Sequence, residues 1–173
     1  MGNLHFEVPS PCHKFILLEY KQEFLDSGDS MDGSSGLGWA ASFEEWLHTV
    51  QQNASPDTAL PDCVPCTVYL AMENQSNRLV GMICIRHQLT STLERFGGNI
   101  GYSVRQSERG NGYAVQMLQM ALERCKEMGL HEVLLTCYKH NVASSKTMLR
   151  CGAKLQDEIT AGEYVIQRYK ISV

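Results

Sequence analysis

Gly101-Tyr-Ser-Val-Arg-Gln-Ser-Glu-Arg-Gly-Asn-Gly-Tyr-Ala114 is the stretch whose reading decides the fold. It begins inside a β-rich run, Ile100–Arg105, passes through a turn with glycine at 110 and 112, and opens a segment of helical periodicity. At such a junction the first N–H groups of the helix have no intrahelical partner, and the helix dipole adds positive potential. Gly110 and Gly112 let the backbone approach a ligand closely, and Ala114 leaves the first turn unobstructed. Arg109 adds a cation. The combination reads as an anion cradle suited to phosphate. A dinucleotide fingerprint would need a third glycine where Val115 stands, and a Walker A loop would need Gly-Lys-Ser/Thr, which is absent. A Gly-rich turn with no ligand is the purely structural alternative.

Working outward, the spacing predicts a helix over about Gly112–Met128 with Val115, Leu118, Leu122 and Cys125 on one stripe, capped by Gly129. A strand Glu132–Cys137, a short helix Val142–Cys151 closed by Gly152, and strands Lys154–Ile159 and Tyr164–Ile171 follow. Upstream, Cys66–Glu73 and Arg78–His87 form an antiparallel hairpin about the polar turn Asn74–Asn77. In the second run both alternating sets are apolar, Leu79, Ile83 and Ile85 against Val80, Met82 and Cys84, as in a strand covered on both faces. Gln88–Gly98 reads as a loop. The N-terminal part holds a helix over Cys12–Leu25, with Phe15, Leu18, Phe24 and Leu25 inward, and a Gly/Ser/Asp-rich loop over Asp26–Gly38. A second helix carries Phe43, Trp46, Leu47 and Val50 behind the capping box Ser42–Glu45. Gln52–Pro65 is a connection.

The order predicts one α/β domain of α+β type over residues 1–173: a mixed, mostly antiparallel sheet of six or seven strands with helices on both faces. The core spans about 65–173 and an N-terminal helical region about 12–52. The crossover from Ile100–Arg105 through the long helix to Glu132–Cys137 should be right-handed, making a central parallel pair.

Composition bounds the function. The 173 residues are 43% hydrophobic and carry a net charge of −4, so no basic stripe invites nucleic acid. Apolar runs are too short to span a membrane, and Met1–Pro11 lacks the pattern of a secretory signal. Seven cysteines, an odd and scattered set with no disulfide framework, point to a reducing cytoplasm. The Cys63–Cys66 pair has no second pair to complete a structural zinc site, so no metal is expected.

Arg109-x-x-Gly112-x-Ala114, with strand before and helix after, resembles the R/Q-x-x-G-x-G/A motif of the GNAT superfamily of acetyl-CoA-dependent N-acetyltransferases. Asn141-x-x-Ser144 followed by Gly152 is similar to that family's second coenzyme-proximal element, and the likeness covers about residues 78–156. Ile85-Arg-His87 with Gly101–Arg105 resembles a bacterial branch of predicted acetyltransferases. The resemblance implies direct transfer from acetyl-CoA to a primary amine of a small molecule or peptide, in a cytoplasmic protein that could be a homodimer. It implies a pyrophosphate cradle of Arg109, Gly110, Asn111, Gly112, Tyr113 and Ala114. Asn141 would meet the pantetheine arm, Ser144 or Lys146 the coenzyme, and Tyr102 and Val104 the donor along the strand. The Val104 N–H would polarise the thioester carbonyl. A catalytically silent coenzyme A binder is the alternative.

Acid and base are open at this level. The family's frequent tyrosine, seven residues after the Asn, is Met148 here; Tyr138 is the nearest substitute as acid. His87 and Glu94 are candidates for the base, with Arg86 beside them. Asp26, Asp29 and Asp32 near Trp39 and Trp46 would receive a cationic amine.

Overall fold

A computed structural model describes residues 3–61 and 63–173. Met1 and Gly2, part of the stretch read for a signal, and Asp62 in the Gln52–Pro65 connection lie outside the described residues. The strands are β1 (Leu4–Glu7), β2 (Cys66–Glu73), β3 (Leu79–Arg86), β4 (Ile100–Val104), β5 (Glu132–Tyr138), β6 (Lys154–Ala161) and β7 (Tyr164–Ser172). The helices are α1 (Lys14–Ser27), α2 (Phe43–Asn53), α3 (Ser91–Phe96), α4 (Tyr113–Glu127) and α5 (Val142–Arg150). The expected mixed α/β architecture is present.

The strands divide into an antiparallel sheet β1-β2-β3-β4 and an antiparallel sheet β5-β7-β6. This corrects the expected central parallel pair: β4 and β5 share no ladder. They meet at one corner, where the Asn99 N–H donates to the Leu134 carbonyl (2.7 Å) and the Leu134 N–H to Asn99 Oδ1 (2.8 Å). Asn99 is 5% exposed and uses its side chain as a clamp where a ladder would otherwise continue. Beyond this corner the two strands line opposite walls of a cleft.

Two apolar cores flank the larger sheet. One joins α4 and α5 to Val80, Ile83, Ile85, Ile100 and Val104. The other joins α1 and α2 to Leu79, Met82, Cys84 and β2. The sequence alternation had placed Leu79 with Ile83 and Ile85, and the grouping differs because β3 carries a bulge. Ala71 pairs with Gly81 but Met72 with Leu79, so Val80 is an extra residue and the alternation changes phase there. Gly81 permits the bulge to sit tight, since a Cβ on it would stand 2.4 Å from the Ser103 carbonyl.

The N-terminal part departs most from expectation. In α1 the buried residues are Leu17, Tyr20 and Phe24, while Phe15, Leu18 and Leu25 are exposed. Tyr20 points inward because its hydroxyl has a partner there, the Ser103 carbonyl at 3.1 Å. Ser42 caps α2 as expected, accepting the Glu45 N–H at 3.1 Å. Trp46 is buried with its indole N–H on the Ser34 carbonyl (2.8 Å), whereas Trp39 is exposed. The stretch read as a loop over Gln88–Gly98 contains α3, capped by Thr90.

The Asp26–Gly38 segment folds down onto β4. The Ser103 hydroxyl donates to the Asp32 carbonyl (2.5 Å), and Gly33 lies against the Gly101–Tyr102 backbone at φ 81°. A Cβ on Gly33 would stand 2.4 Å from the Gly101 carbonyl oxygen. Gly33→Ala should therefore strain both the backbone and the contact, costing about 1–3 kcal/mol. Thermal unfolding of the variant checks this; an unchanged Tm would mean the loop is not held against β4.

Candidate active site

The cleft between β4 and β5 has a volume of about 530 Å³. Its walls are β4 itself, the end of β5 with the start of α5, and the Asp29–Gly33 segment.

One end is the turn before α4. Gly110 and Gly112 adopt φ of 81° and 78°, the left-handed conformation that glycine takes without strain, and Gly112 is the N-cap of α4. The Arg109 N–H is bonded to Gln106, and the Gln116 N–H to Gly112. Among the described residues, the N–H groups of Gly110 through Val115 meet no acceptor. They sit at the positive end of a helix of 15 residues. Arg109 is fixed by its Nε to the Val104 carbonyl (3.1 Å) and pairs through Nη1 with Asp29 Oδ2 (2.7 Å). This pair is half-exposed, and such pairs are worth only about 0–1 kcal/mol. A multiply charged anion in the turn can therefore compete with Asp29 for the guanidinium.

The second feature is the open edge of β4. Arg86 N–H donates to Asn99 and Arg105 N–H to Val80, so odd-numbered residues between them turn their main-chain groups toward β3. Tyr102 and Val104 therefore turn theirs to the cleft, as the Arg109–Val104 bond also requires. Both N–H groups are without partners among the described residues.

Across the cleft, Asn141 caps α5 by accepting the Ser144 N–H at 3.1 Å, and both residues line the wall. Ser144 Oγ meets the Tyr102 hydroxyl at 2.9 Å. Burial, partly offset by that bond, pushes the Tyr102 phenol up to about 12, so it stays protonated near neutrality. Tyr138 lies at the cleft mouth, half-exposed and stacked on His140 with ring centroids 5.3 Å apart.

Other sequence candidates fall elsewhere. His87 bonds to the Thr67 hydroxyl (2.8 Å) outside the cleft lining, and burial lowers its pKa. Glu94 is on α3; its carbonyl accepts from Arg168, and it too is outside the lining. Lys146 is exposed on α5 and outside the lining. Met148 is 1% exposed and belongs to the core, so no side chain from that position reaches the cleft. Asp29 and Asp32 line the cleft, but Asp26 bonds to Gln22 away from it. Cys66 is buried beside Cys84, whose sulfur accepts from Ser35 (3.3 Å). Among the described residues no cluster of three or more His, Cys, Asp or Glu is arranged to hold a metal.

Thr136 and Cys137 line the cleft without having been singled out from sequence, and Arg86, read there beside the base candidates, lines it where His87 and Glu94 do not. For Arg86 the available signal was its place at the last residue of a strand, one position past the pairing of Ile85 with Ile100.

A strand edge left unpaired beside a glycine turn at a helix start defines a cleft for an extended ligand with an anionic end. Comparison with known proteins gives its class. The acetyltransferase (GNAT) domain family matches residues 36–154, and the chain belongs to that family. L-methionine sulfoximine/L-methionine sulfone acetyltransferases of Pseudomonas aeruginosa and Pseudomonas paraeruginosa are 33% identical over 69 residues. That match spans 39% of this chain and 40% of those relatives' length. Among solved structures, the ribosomal α-N-protein acetyltransferase RimL in complex with coenzyme A gives a TM-score of 0.73 at 17% identity, over 99% of this chain and 94% of that one. A Salmonella typhimurium acetyltransferase that modifies the N-terminal serine of a 50S ribosomal subunit protein gives 0.70 at 18%, over 99% and 95%. The microcin C7 self-immunity acetyltransferase in complex with acetyl-CoA and AMP gives 0.68 at 12%, over 99% and 93%. These structures share the fold.

Proposed function

We propose that this chain transfers the acetyl group of acetyl-CoA directly to a primary amine. The observation that carries this reading is the free N–H row at Gly110–Val115, set between Arg109 and Ala114, which line the same cleft as the free edge of β4. Acetyl-CoA fits this combination because it joins a pyrophosphate to an extended amide-containing arm that ends in an activated acyl thioester.

In this reading the turn N–H groups and Arg109 hold the pyrophosphate. The β4 edge pairs with the arm as a strand would, and Asn141 and Ser144 close the other side. Val104 lies beside the pyrophosphate end, because its carbonyl is the anchor of Arg109. The thioester then falls nearer Tyr102. We therefore assign the N–H that faces the thioester oxygen to Tyr102, and place the Val104 N–H on an amide of the arm. This moves the role that motif matching gave to Val104. The Tyr102–Ser144 hydroxyl pair supplies the donor to the departing sulfur. Asp32, exposed on the opposing wall, draws the ammonium form of the acceptor. Holding amine and thioester together provides much of the rate.

Calorimetry with acetyl-CoA and a free-thiol assay over an amine panel test the reading. Absence of acetyl-CoA binding at high protein concentration would overturn it. Arg109→Gln should weaken acetyl-CoA binding roughly 10-fold, the order expected for one charge-assisted contact. Unchanged affinity would remove Arg109 from the cradle.

A further inference from the structure

Arg86 is the last residue of β3, and its main chain is held from both directions. Its N–H donates to the Asn99 carbonyl at 2.7 Å, and its carbonyl accepts from Asn99 Nδ2 at 3.3 Å. Asn99 is the residue clamped to β5, so the start of the side chain is fixed at the corner where the two sheets part. Further out, Nη1 donates to the carbonyls of Gly97 (3.2 Å) and Gly98 (2.9 Å). These bonds fix the plane of the guanidinium and use only one of its amino groups.

The other edge of the fork, Nε and Nη2, meets no acceptor among the described residues, and Arg86 enters no ion pair among them. It lines the cleft. Nη2 stands 3.9 Å from the position a Cβ would take on Gly101, so this edge lies beside the backbone of that residue. The other two arginines of this region are both engaged with carboxylates, Arg105 with Glu23 (2.7 Å) and Arg109 with Asp29 (2.7 Å). A fixed guanidinium with its Nε–Nη2 edge open is shaped for bidentate pairing with a planar anion, and carboxylate matches it best.

Its position says which ligand. Arg86 bonds to Asn99, the residue before β4, and the proposed phosphate cradle lies beyond the other end of that strand, about 14 Å away by strand rise from Ile100 to Val104. The arginine is therefore not at the pyrophosphate end. Its free edge stands beside Gly101, one residue from the Tyr102 N–H assigned above to the thioester. A carboxylate bound there would leave an amine on the adjacent carbon close to the thioester, on the side of the cleft where Asp32 lies.

We infer that Arg86 binds the carboxylate of the acceptor, and that the acceptor is a free α-amino acid. The inference rests on the acetyl-transfer reading and narrows it. The step is amide formation: the C–S bond breaks, the N–C bond forms, one ammonium proton is lost to solvent and one is taken up by the thiolate.

The test compares the twenty amino acids with their carboxamides and a polyamine in the free-thiol assay, at saturating acetyl-CoA. At least one amino acid should exceed its carboxamide in kcat/KM by roughly 10- to 100-fold, the range for a charge-assisted pair. Arg86→Gln should abolish that preference by raising the amino-acid KM, leaving the weak reaction of the carboxamide and the acetyl-CoA affinity unchanged. Arg86→Lys, which keeps the charge without the fork, should fall between. If Arg86→Gln loses acetyl-CoA affinity through misfolding, Arg86→Lys and the wild-type preference decide. Carboxamides or the polyamine reacting as well as amino acids would overturn the inference and leave acetyl transfer standing. Acetyl-CoA binding with no turnover across the whole panel would overturn both.

Discussion

Replacing the Tyr102 peptide N–H by an ester oxygen, through incorporation of the α-hydroxy acid analogue of tyrosine, should lower kcat about 10²- to 10³-fold. That is the cost of deleting one oxyanion donor in a preorganised site. The substitution keeps the phenol, its bond to Ser144 and its packing, and it removes no ladder bond because the group faces the cleft. The same replacement at Val104 should act on affinity instead, raising the KM for acetyl-CoA with a smaller change in kcat. The comparison separates the two positions, since uniform binding and transition-state binding report in different constants. A large kcat loss at Val104 with none at Tyr102 would return the oxyanion to Val104. Loss at neither would mean that the open edge of β4 does not face the reacting carbonyl. Thermal unfolding of both analogues should stay near wild type.

What the sequence disclosed about this cleft was its local part. A turn with two left-handed glycines between a strand and a helix is specified by residues next to one another, and Arg109–Ala114 could be read directly. The cap at Ser42 and the helix stop at Gly129 are of the same kind. Features that depend on distant partners were not legible. β1 is four residues that become a strand only by pairing with β2, more than sixty positions away. In α1, apolar residues occupy two stripes, and the choice between Phe15 and Leu17 is made by tertiary contacts. Tyr20 finds Ser103, and the stripe containing it turns inward. The parting of β4 from β5 depends on the Asn99 clamp, and no pattern in either strand announces it. Arg86 was visible as a residue but not as a site. Its meaning comes from which of its donors Gly97 and Gly98 occupy, and that follows from the geometry of α3, a helix the sequence had concealed within a loop.

Removing Glu23 should destabilise the protein by about 3 kcal/mol, near the lower end of what breaking a buried ion pair costs. Arg105, 5% exposed, follows β4 directly and is held by Glu23 Oε2 at 2.7 Å; it also meets the Leu79 carbonyl, Glu19 at 3.9 Å and the Tyr20 ring, whose centroid lies 5.9 Å from the guanidinium carbon. With Glu23→Ala the guanidinium keeps its charge and loses its main partner, and for a chain of this size Tm should fall by roughly 6–12 °C. The effect should also reach the cleft. Glu23 Oε1 accepts from the Ser107 N–H (3.2 Å) and hydroxyl (3.3 Å), in the segment that leads to the Gly110–Gly112 turn proposed to hold the pyrophosphate, so acetyl-CoA affinity should weaken as well. Changing both members to apolar residues, Glu23→Leu with Arg105→Met, should recover most of the stability, because the penalty comes from the orphaned charge. It should not recover the affinity, which depends on the lost Ser107 bonds. Acid titration gives a further check. Burial pushes the Glu23 carboxyl up, but the Ser107 N–H, Arg105 and the Ser107 hydroxyl together outweigh it, and the net shift is downward. A group depressed on folding contributes stability that is present above the ordinary carboxylate range and is lost as pH falls through the folded value. Wild type should lose this contribution below about pH 4.5, and Glu23→Ala should show a flatter acid limb. Equal acid limbs in the two proteins would mean that Glu23 is not the charge holding Arg105 in place.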